Sequence, residues 1–95
     1  MRDYELVAII NPELDEEGVS EIIDRVSQSI NSRGGAVEET KKWGRRKLAY
    51  PIRKFMEAEY VLARFQLTPQ SIKELETEIS ASEDILRYLV IKASD

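Results

Sequence analysis

The stretch from Lys41 to Lys54 holds the side chains of this chain that are best suited to binding an anion. It contains seven Lys or Arg residues and no Asp or Glu, in a chain with 14 basic and 18 acidic residues. Each Lys or Arg that meets a phosphate releases condensed counterions, so a local stripe of positive charge favours a nucleic acid. A solvated edge strand with lysines that block aggregation is the alternative. That alternative accounts for two or three of the charges and leaves the others unexplained.

The expected nucleic-acid contacts are local, because the chain as a whole has a net charge of −4. A negative net charge opposes general adhesion to nucleic acid. We predict that basic residues inside the stretch, together with three outside it, contact RNA phosphates. The predicted RNA-binding residues are Arg2, Lys42, Arg45, Arg46, Lys47, Arg53, Lys54, Arg87 and Lys92.

Composition excludes several kinds of chemistry. The chain has no cysteine, which excludes a disulfide, a thiolate metal site and a thiol nucleophile. It has no histidine, the commonest general base near neutral pH and the commonest metal ligand. We therefore expect no metal and no cofactor. No apolar run reaches membrane-spanning length and the first residues lack the apolar core of a signal peptide, so a cytoplasmic protein is expected.

The hydrophobic pattern predicts elements in the order β-α-β-β-α-β within a single domain, residues 1–95. Asp15 and Thr68 are the expected N-caps of the two helices, and Gly34 with Gly35 ends the first one. Right-handed crossovers place both helices on one face of a four-stranded antiparallel sheet, the ferredoxin-like fold of the α+β class. The first and third strands are expected in the centre. The predicted strands cover residues 2–10, 37–52, 58–67 and 85–92.

The second strand is too long to be one flat, fully paired strand, since 16 residues at ~3.3 Å each span about 50 Å. Its apolar residues switch from odd positions at Val37 and Trp43 to an even position at Leu48. Such a switch needs an extra residue, and Gly44 is the natural place for a bulge. We expect the distal half to project as a basic arm and the chain to reverse over residues 54–57.

The sheet face that the helices leave open is expected to be unusually apolar. A solvated face alternates towards polar residues, and a contiguous apolar cluster marks an interface. We predict a protein partner here. The alternative is an apolar patch that binds no partner, with Glu5 and Arg64 making it more polar. RNA stacking on this face is disfavoured, because the third strand lacks the Gly-aromatic pattern of RNA-binding sheets. The predicted partner interface consists of Val7, Ile9, Tyr60, Leu62, Leu89 and Ile91.

Two aromatic residues of the basic stretch are open to several roles. Trp43 could anchor RNA, contact a partner or pack in the core. Because Trp43 shares the odd register of Val37, we expect part of its ring to lie in the core. The same three roles are possible for Tyr50.

Catalysis is not expected. Acylphosphatases share this topology and use an arginine in the turn after the first strand, but that turn here, residues 11–14, has none. Glu16 and Glu17 fit a helix N-terminus, where acidic residues serve the dipole, and no glycine-rich phosphate loop is present. A protein-interaction or small-molecule regulatory domain of the same topology remains as the alternative function.

The chain resembles the family of the sixth protein of the bacterial small ribosomal subunit over essentially its whole length. The resemblance rests on Met1-Arg2-x-Tyr4-Glu5, Asn11-Pro12, the specific run Trp43–Ile52 (Trp-Gly-Arg-Arg-Lys-Leu-Ala-Tyr-Pro-Ile) and a final strand closing on Lys92. It implies a ferredoxin-like fold and binding to the central domain of the small-subunit rRNA. It also implies that the eighteenth small-subunit protein is a cooperative partner.

Overall fold

The computed structural model describes residues 1–93. Its four strands form an antiparallel sheet in the order β2-β3-β1-β4, so β1 and β3 are central and β2 and β4 are the edges. The predicted ferredoxin-like architecture is confirmed. The elements are β1 (Arg2–Ile10), α1 (Glu16–Ser32), β2 (Ala36–Ile52), β3 (Phe55–Leu67), α2 (Pro69–Ser80) and β4 (Ile85–Lys92). Within residues 1–93, no helix combines the length and apolarity that crossing a membrane requires.

Alternation along the central strands decides which face of the sheet the helices bury. In β1, the even positions from Tyr4 to Ile10 are buried while the odd positions between them stay partly exposed. In β3, Phe65 is fully buried and its ring stacks on that of Tyr4, with centroids 5.6 Å apart. Burying one such large side chain contributes about 1.5–3 kcal/mol. The core combines these strand residues with Val19, Ile22 and Ile30 of α1 and Leu75 and Ile79 of α2.

Helix α1 begins and ends at the predicted residues for identifiable reasons. The Asp15 carboxylate accepts a hydrogen bond from the Gly18 N–H at 2.8 Å, which satisfies an unpaired donor of the first turn. At the other end, Gly34 adopts φ +82°. Its N–H bonds the Asn31 carbonyl at 3.0 Å, and the Gly35 N–H bonds the Ile30 carbonyl at 3.0 Å. This pair of hydrogen bonds is the Schellman motif, which turns the chain sharply into β2.

Helix α2 is joined to α1 by a polar cluster around Arg33. The Arg33 guanidinium donates to Ser29 Oγ at 2.8 Å and to Glu78 Oε1 at 3.0 Å, and it lies 3.4 Å from a Glu74 oxygen. The Ser29 hydroxyl also donates to the Glu78 carboxylate. These hydrogen bonds, first that of Ser29 and then that of Arg33, lower the pKa of Glu78 below its usual value. The charged form of Glu78 therefore helps to hold the two helices together.

The β2–β3 hairpin differs from the prediction in the residue at which β3 begins and in the length of the reversal. Strand β3 begins at Phe55, not at Ala58, because Phe55 pairs with Ile52 and the chain reverses through Arg53 and Lys54 alone. Arg53 takes the left-handed φ of 56° that this tight reversal imposes. The distal half of β2 is thus paired in a two-stranded hairpin.

Strand β2 contains the predicted bulge and two irregularities that the sequence did not reveal, a second bulge and a register shift between Lys47 and Ile52. The register with β3 shifts between Lys42 and Gly44, and Gly44 has φ +86°. A further shift lies between Val37 and Glu39, so that Glu38 is an extra residue. Between the bulge at Glu38 and the one before Gly44, odd positions of β2 face the open side of the sheet and not the core, because one inserted residue reverses the alternation; the second bulge reverses it again.

Candidate RNA and protein interface

The predicted basic arm is a two-stranded hairpin that extends past the end of β1. Strand β1 pairs with β3 only as far as Glu59, which is opposite Ile10 on one side and Arg45 on the other. Residues 46–58, here called the arm, therefore continue beyond the four-stranded sheet. The arm carries Arg46, Lys47, Arg53 and Lys54, and Arg45 lies at its base.

The arm does not project freely, because three contacts hold it against that end of the molecule. Arg53 donates to the Glu83 carbonyl at 3.0 Å, in the turn between α2 and β4. Arg45 donates to the Pro12 carbonyl at 2.6 Å, in the loop after β1. Arg87 of β4 donates to the Tyr50 hydroxyl, and its guanidinium lies 5.4 Å from the centre of the Tyr50 ring. The strand twist thus curls the arm towards the opposite edge of the sheet.

These contacts divide the predicted RNA-binding residues by availability. Arg45, Arg53 and Arg87 each use a guanidinium nitrogen within the chain, and Lys42 donates to Ser20 Oγ at 3.1 Å. Within residues 1–93, no hydrogen bond or ion pair involves the charged groups of the other three basic residues of the arm and its base. The three residues with uncommitted charges are Arg46, Lys47 and Lys54.

Arg2 and Lys92 are not brought together with the arm. Arg2 is opposite Leu67 at the start of β1, and Lys92 is opposite Tyr4. The arm leaves the sheet at the Ile10 end of β1, eight residues further along, or about 26 Å away. The predicted RNA-binding set therefore forms a cluster at the arm, which includes Arg87, and a separate basic pair at the far end of the sheet.

Charge is strongly segregated between the two layers of the fold. The helices and their flanking loops, residues 11–35 and 68–84, contain eleven acidic and three basic residues. The other described residues, 1–10, 36–67 and 85–93, contain six acidic and eleven basic ones. The helix layer is thus negative by eight charges, and the described strands with the hairpin turn are positive by five. A polyanion is repelled from the helix layer and attracted to the sheet and its arm.

The open face of the sheet carries the predicted apolar patch, but its exposure is uneven. Val7 is opposite Leu62 of β3 and Leu89 of β4, so the three form one row across the sheet. Leu62 is already buried, at 7% exposure, because neighbouring side chains cover it on a central strand. Leu89 and Ile91 on the edge strand β4 are 56% and 43% exposed. Leu62 therefore offers little surface to a partner, and the exposed apolar area lies towards β4.

The rest of the patch separates a basic end from an acidic end. Ile9 is opposite Tyr60 and Arg87 at the arm end, and all three lie on the open face. At the other end, Arg64 is paired with Glu5 at 3.0 Å and with Glu39 at 4.0 Å. These exposed pairs contribute little to stability. They leave a surface whose centre is apolar and whose two ends differ in charge.

Trp43 lies outside the core, contrary to the expectation. Its side chain is 42% exposed and it does not belong to the buried cluster. The bulge at Glu38 reverses the alternation before Trp43, and Trp43 is itself the extra residue of the second bulge, so its side chain lies towards the open side. Arg46, opposite Ala58, faces the same side, and its guanidinium carbon lies 5.6 Å from the centre of the Trp43 ring. The sequence prediction missed this pair because it allowed only one bulge.

Comparisons with known proteins identify one family. The sequence profile described as Ribosomal protein S6 matches residues 3–92. A protein of Fusobacterium nucleatum named small ribosomal subunit protein bS6 is 41% identical over 92 residues, which cover 97% of this chain and 98% of that protein. The bS6 of Moorella thermoacetica is 37% identical over 95 residues, 100% of this chain and 97% of that protein. The crystal structure of 30S ribosomal protein S6 from Thermotoga maritima superposes with a TM-score of 0.89 at 33% identity, covering 96% of this chain and 86% of that one.

Proposed function

Because this chain belongs to the ribosomal protein S6 family, we propose that it binds the central domain of the small-subunit rRNA cooperatively with the eighteenth small-subunit protein. The family consists of structural, non-enzymatic components of the small ribosomal subunit in the cytoplasm. The proposal concerns how this chain attaches there. Two separate surfaces serve two partners: the arm with its base contacts RNA, and the open face of the sheet contacts the protein.

The observation that carries the RNA contact is the segregation of charge. The helix layer is negative by eight charges, and the described strands with the arm are positive by five. RNA therefore approaches from the arm. Arg46, Lys47 and Lys54 have uncommitted charges, so they reach phosphates without breaking a hydrogen bond or an ion pair. Arg53 and Arg87 retain donors beyond those already used, because a guanidinium has five N–H groups.

The protein contact is supported by the apolar row on the open face. Leu89 and Ile91 are exposed on an edge strand, next to the half-buried Val7 and Ile9. Burying apolar area contributes about 25 cal/mol per Å², and exposed aliphatic residues in one contiguous patch are typical of an interface. Tyr60 borders this patch at the arm end, where a partner contacts both the sheet and RNA.

Cooperativity follows from the small number of uncommitted charges. One arm on a negative protein gives weak binding, whereas a basic partner held on the open face presents a second RNA-binding surface at high effective concentration. We expect a mobility shift of the rRNA central domain with both proteins together and a much weaker one with this protein alone. Tight and specific binding by the lone protein would contradict the proposal.

A salt titration tests the arm. Each lost phosphate contact lowers the slope of log K against log salt by roughly 0.7 to 0.9. The double change Arg46→Ala with Lys47→Ala should weaken assembly and flatten the slope by up to about 1.8. Arg25→Ala with Lys73→Ala removes the same charge from the helix layer and is the matched control. Equal effects of the two double variants would show that only net charge matters and that the arm makes no contact.

A further inference from the structure

Trp43 is placed at the edge of the sheet by a backbone irregularity and not by core packing. It is the extra residue between the pairs Lys42–Val61 and Gly44–Tyr60. Bulges re-aim side chains and occur often beside functional sites. The result is an indole that is 42% exposed on the open side of β2.

Arg46 converts this indole into a composite surface. Its guanidinium carbon lies 5.6 Å from the centre of the Trp43 ring, within the distance of a cation–π contact. Within residues 1–93, the guanidinium has no hydrogen bond or ion pair, so its donors stay available. The guanidinium therefore lies over the indole, and an aromatic ring and a positively charged fork form one surface.

The surroundings select the class of ligand. The stretch from Lys41 to Lys54, which contains the pair, has no acidic residue, and Lys41, opposite Leu62, lies on the same side of the sheet. An apolar side chain of a basic protein would be repelled here, whereas a nucleotide offers both a flat base for the ring and a phosphate for the guanidinium. Every base has a π-face that stacks on tryptophan. A base inside a duplex hides that face, so the ligand must be unpaired.

We propose that Trp43 and Arg46 form a stacking site for one unpaired base of an RNA strand whose phosphates lie along the arm. This inference rests on the proposed RNA-binding function and specifies its contact. It differs from stacking on the central strands, which the sequence disfavours, because the site is at the β2 edge. The base lies on the indole, and Arg46 donates to the adjacent phosphate.

Intrinsic fluorescence gives a direct test, because Trp43 is the only tryptophan in the chain. At low salt, single-stranded oligoadenylate should quench the emission saturably. Inorganic polyphosphate and a blunt RNA duplex should quench it much less, since they offer charge without an exposed base. Equal quenching by polyphosphate and by oligoadenylate would show a phosphate contact only and overturn the proposal. A blue shift produced by the partner protein without RNA would assign Trp43 to the protein interface and overturn it as well.

Variants in the complex with rRNA and the eighteenth protein supply the second readout. Trp43→Leu should weaken assembly by about 5- to 150-fold, the range for the stacking of one base, and leave the salt slope unchanged. Trp43→Phe keeps a stacking ring and should stay within a few-fold of the native protein. Unchanged affinity of Trp43→Leu would refute the stacking site while the salt effect of the arm variants would still support RNA binding. Failure of the native proteins to assemble on rRNA would instead refute the proposed function.

Discussion

The guanidinium of Arg87 lies 5.4 Å from the centre of the Tyr50 ring and donates a hydrogen bond to its hydroxyl, although these residues belong to opposite edges of the sheet. Strands β3 and β1 separate β2 from β4 in the sheet order. The contact is possible because the arm extends beyond β1 and curls over its end. Arg53 fixes the tip of the same arm to the Glu83 carbonyl. The surface that we assign to RNA is therefore held in one shape before RNA binds.

Tyr50→Ala should loosen the arm without unfolding the sheet. The change removes a cation–π contact, worth about 0.5–1 kcal/mol at an exposed site, and one hydrogen bond of about 0.5–1.5 kcal/mol. Hydrogen exchange at the amides of residues 46–58 should accelerate, while exchange in β1 stays unchanged. Tyr50→Phe keeps the ring over Arg87 and should have a smaller effect. If the amides of the arm exchange in Tyr50→Ala at the same rates as in the native protein, the contact between Tyr50 and Arg87 does not hold the arm in place.

Gly44→Ala should destabilise the protein although the space for a methyl group is open. A Cβ at Gly44 meets no atom within 4 Å, but the residue has φ +86°. That conformation costs an L-residue with a side chain about 1–2 kcal/mol. Gly44→Asn should cost less, since asparagine tolerates the left-handed region better. Urea unfolding of both variants measures the difference. An alanine variant as stable as the native protein would show that β2 can lose this bulge.

Leu89→Asp should abolish binding of the protein partner and leave the fold intact. The Leu89 side chain is 56% exposed on the open face, so the carboxylate stays solvated in the free protein and is desolvated only in the complex. Calorimetric titration of this protein with the eighteenth protein measures the loss, and circular dichroism checks the fold. Gln70→Asp adds the same charge at the exposed start of α2 and should bind normally. Native affinity of Leu89→Asp would place the interface elsewhere.

Glu78→Gln should destabilise the protein at neutral pH but not in acid. Hydrogen bonds from Ser29 and Arg33 lower the pKa of Glu78 below the usual 4.5. A lowered pKa in the folded state means that the stabilising contribution is present above pH 4.5 and is lost as the pH falls through the lowered pKa. The free energies of unfolding of native protein and variant should therefore differ at pH 7 and converge as the pH falls through the lowered pKa. Glu21→Gln, on the exposed face of α1, should show no such convergence. A difference that persists in acid would contradict this account.

Local sequence signals determined most of the fold. Asp15 and Thr68 precede the helices where the caps were expected, and β1 and β4 have the predicted bounds. The even positions of β1 are the buried ones. These features follow from residues a few positions apart, through capping, alternation and the conformational freedom of glycine, so they can be recognised without a partner strand.

The candidate surfaces were only partly determined in this way. The basic stretch and the apolar residues of the open face are visible as composition and alternation. The bulge at Glu38 is not marked by a glycine, and only together with the second bulge, at Trp43, does it place Trp43 and Arg46 on the same side of β2, away from the core. Leu62 and Leu89 lie in the same row across the sheet. Leu62 is buried because β3 is a central strand, and Leu89 is exposed because β4 is an edge strand.

The amino-acid sequence by itself therefore determined the order of the elements, the buried face and the excess of positive charge in one segment. Only the tertiary structure decided which of those charges remain uncommitted. Arg45, Arg53 and Arg87 meet Pro12, Glu83 and Tyr50, residues 30 to 37 positions away in the chain. The physical reason is that such contacts arise from the twist of the hairpin and the packing of distant loops, which no local periodicity encodes.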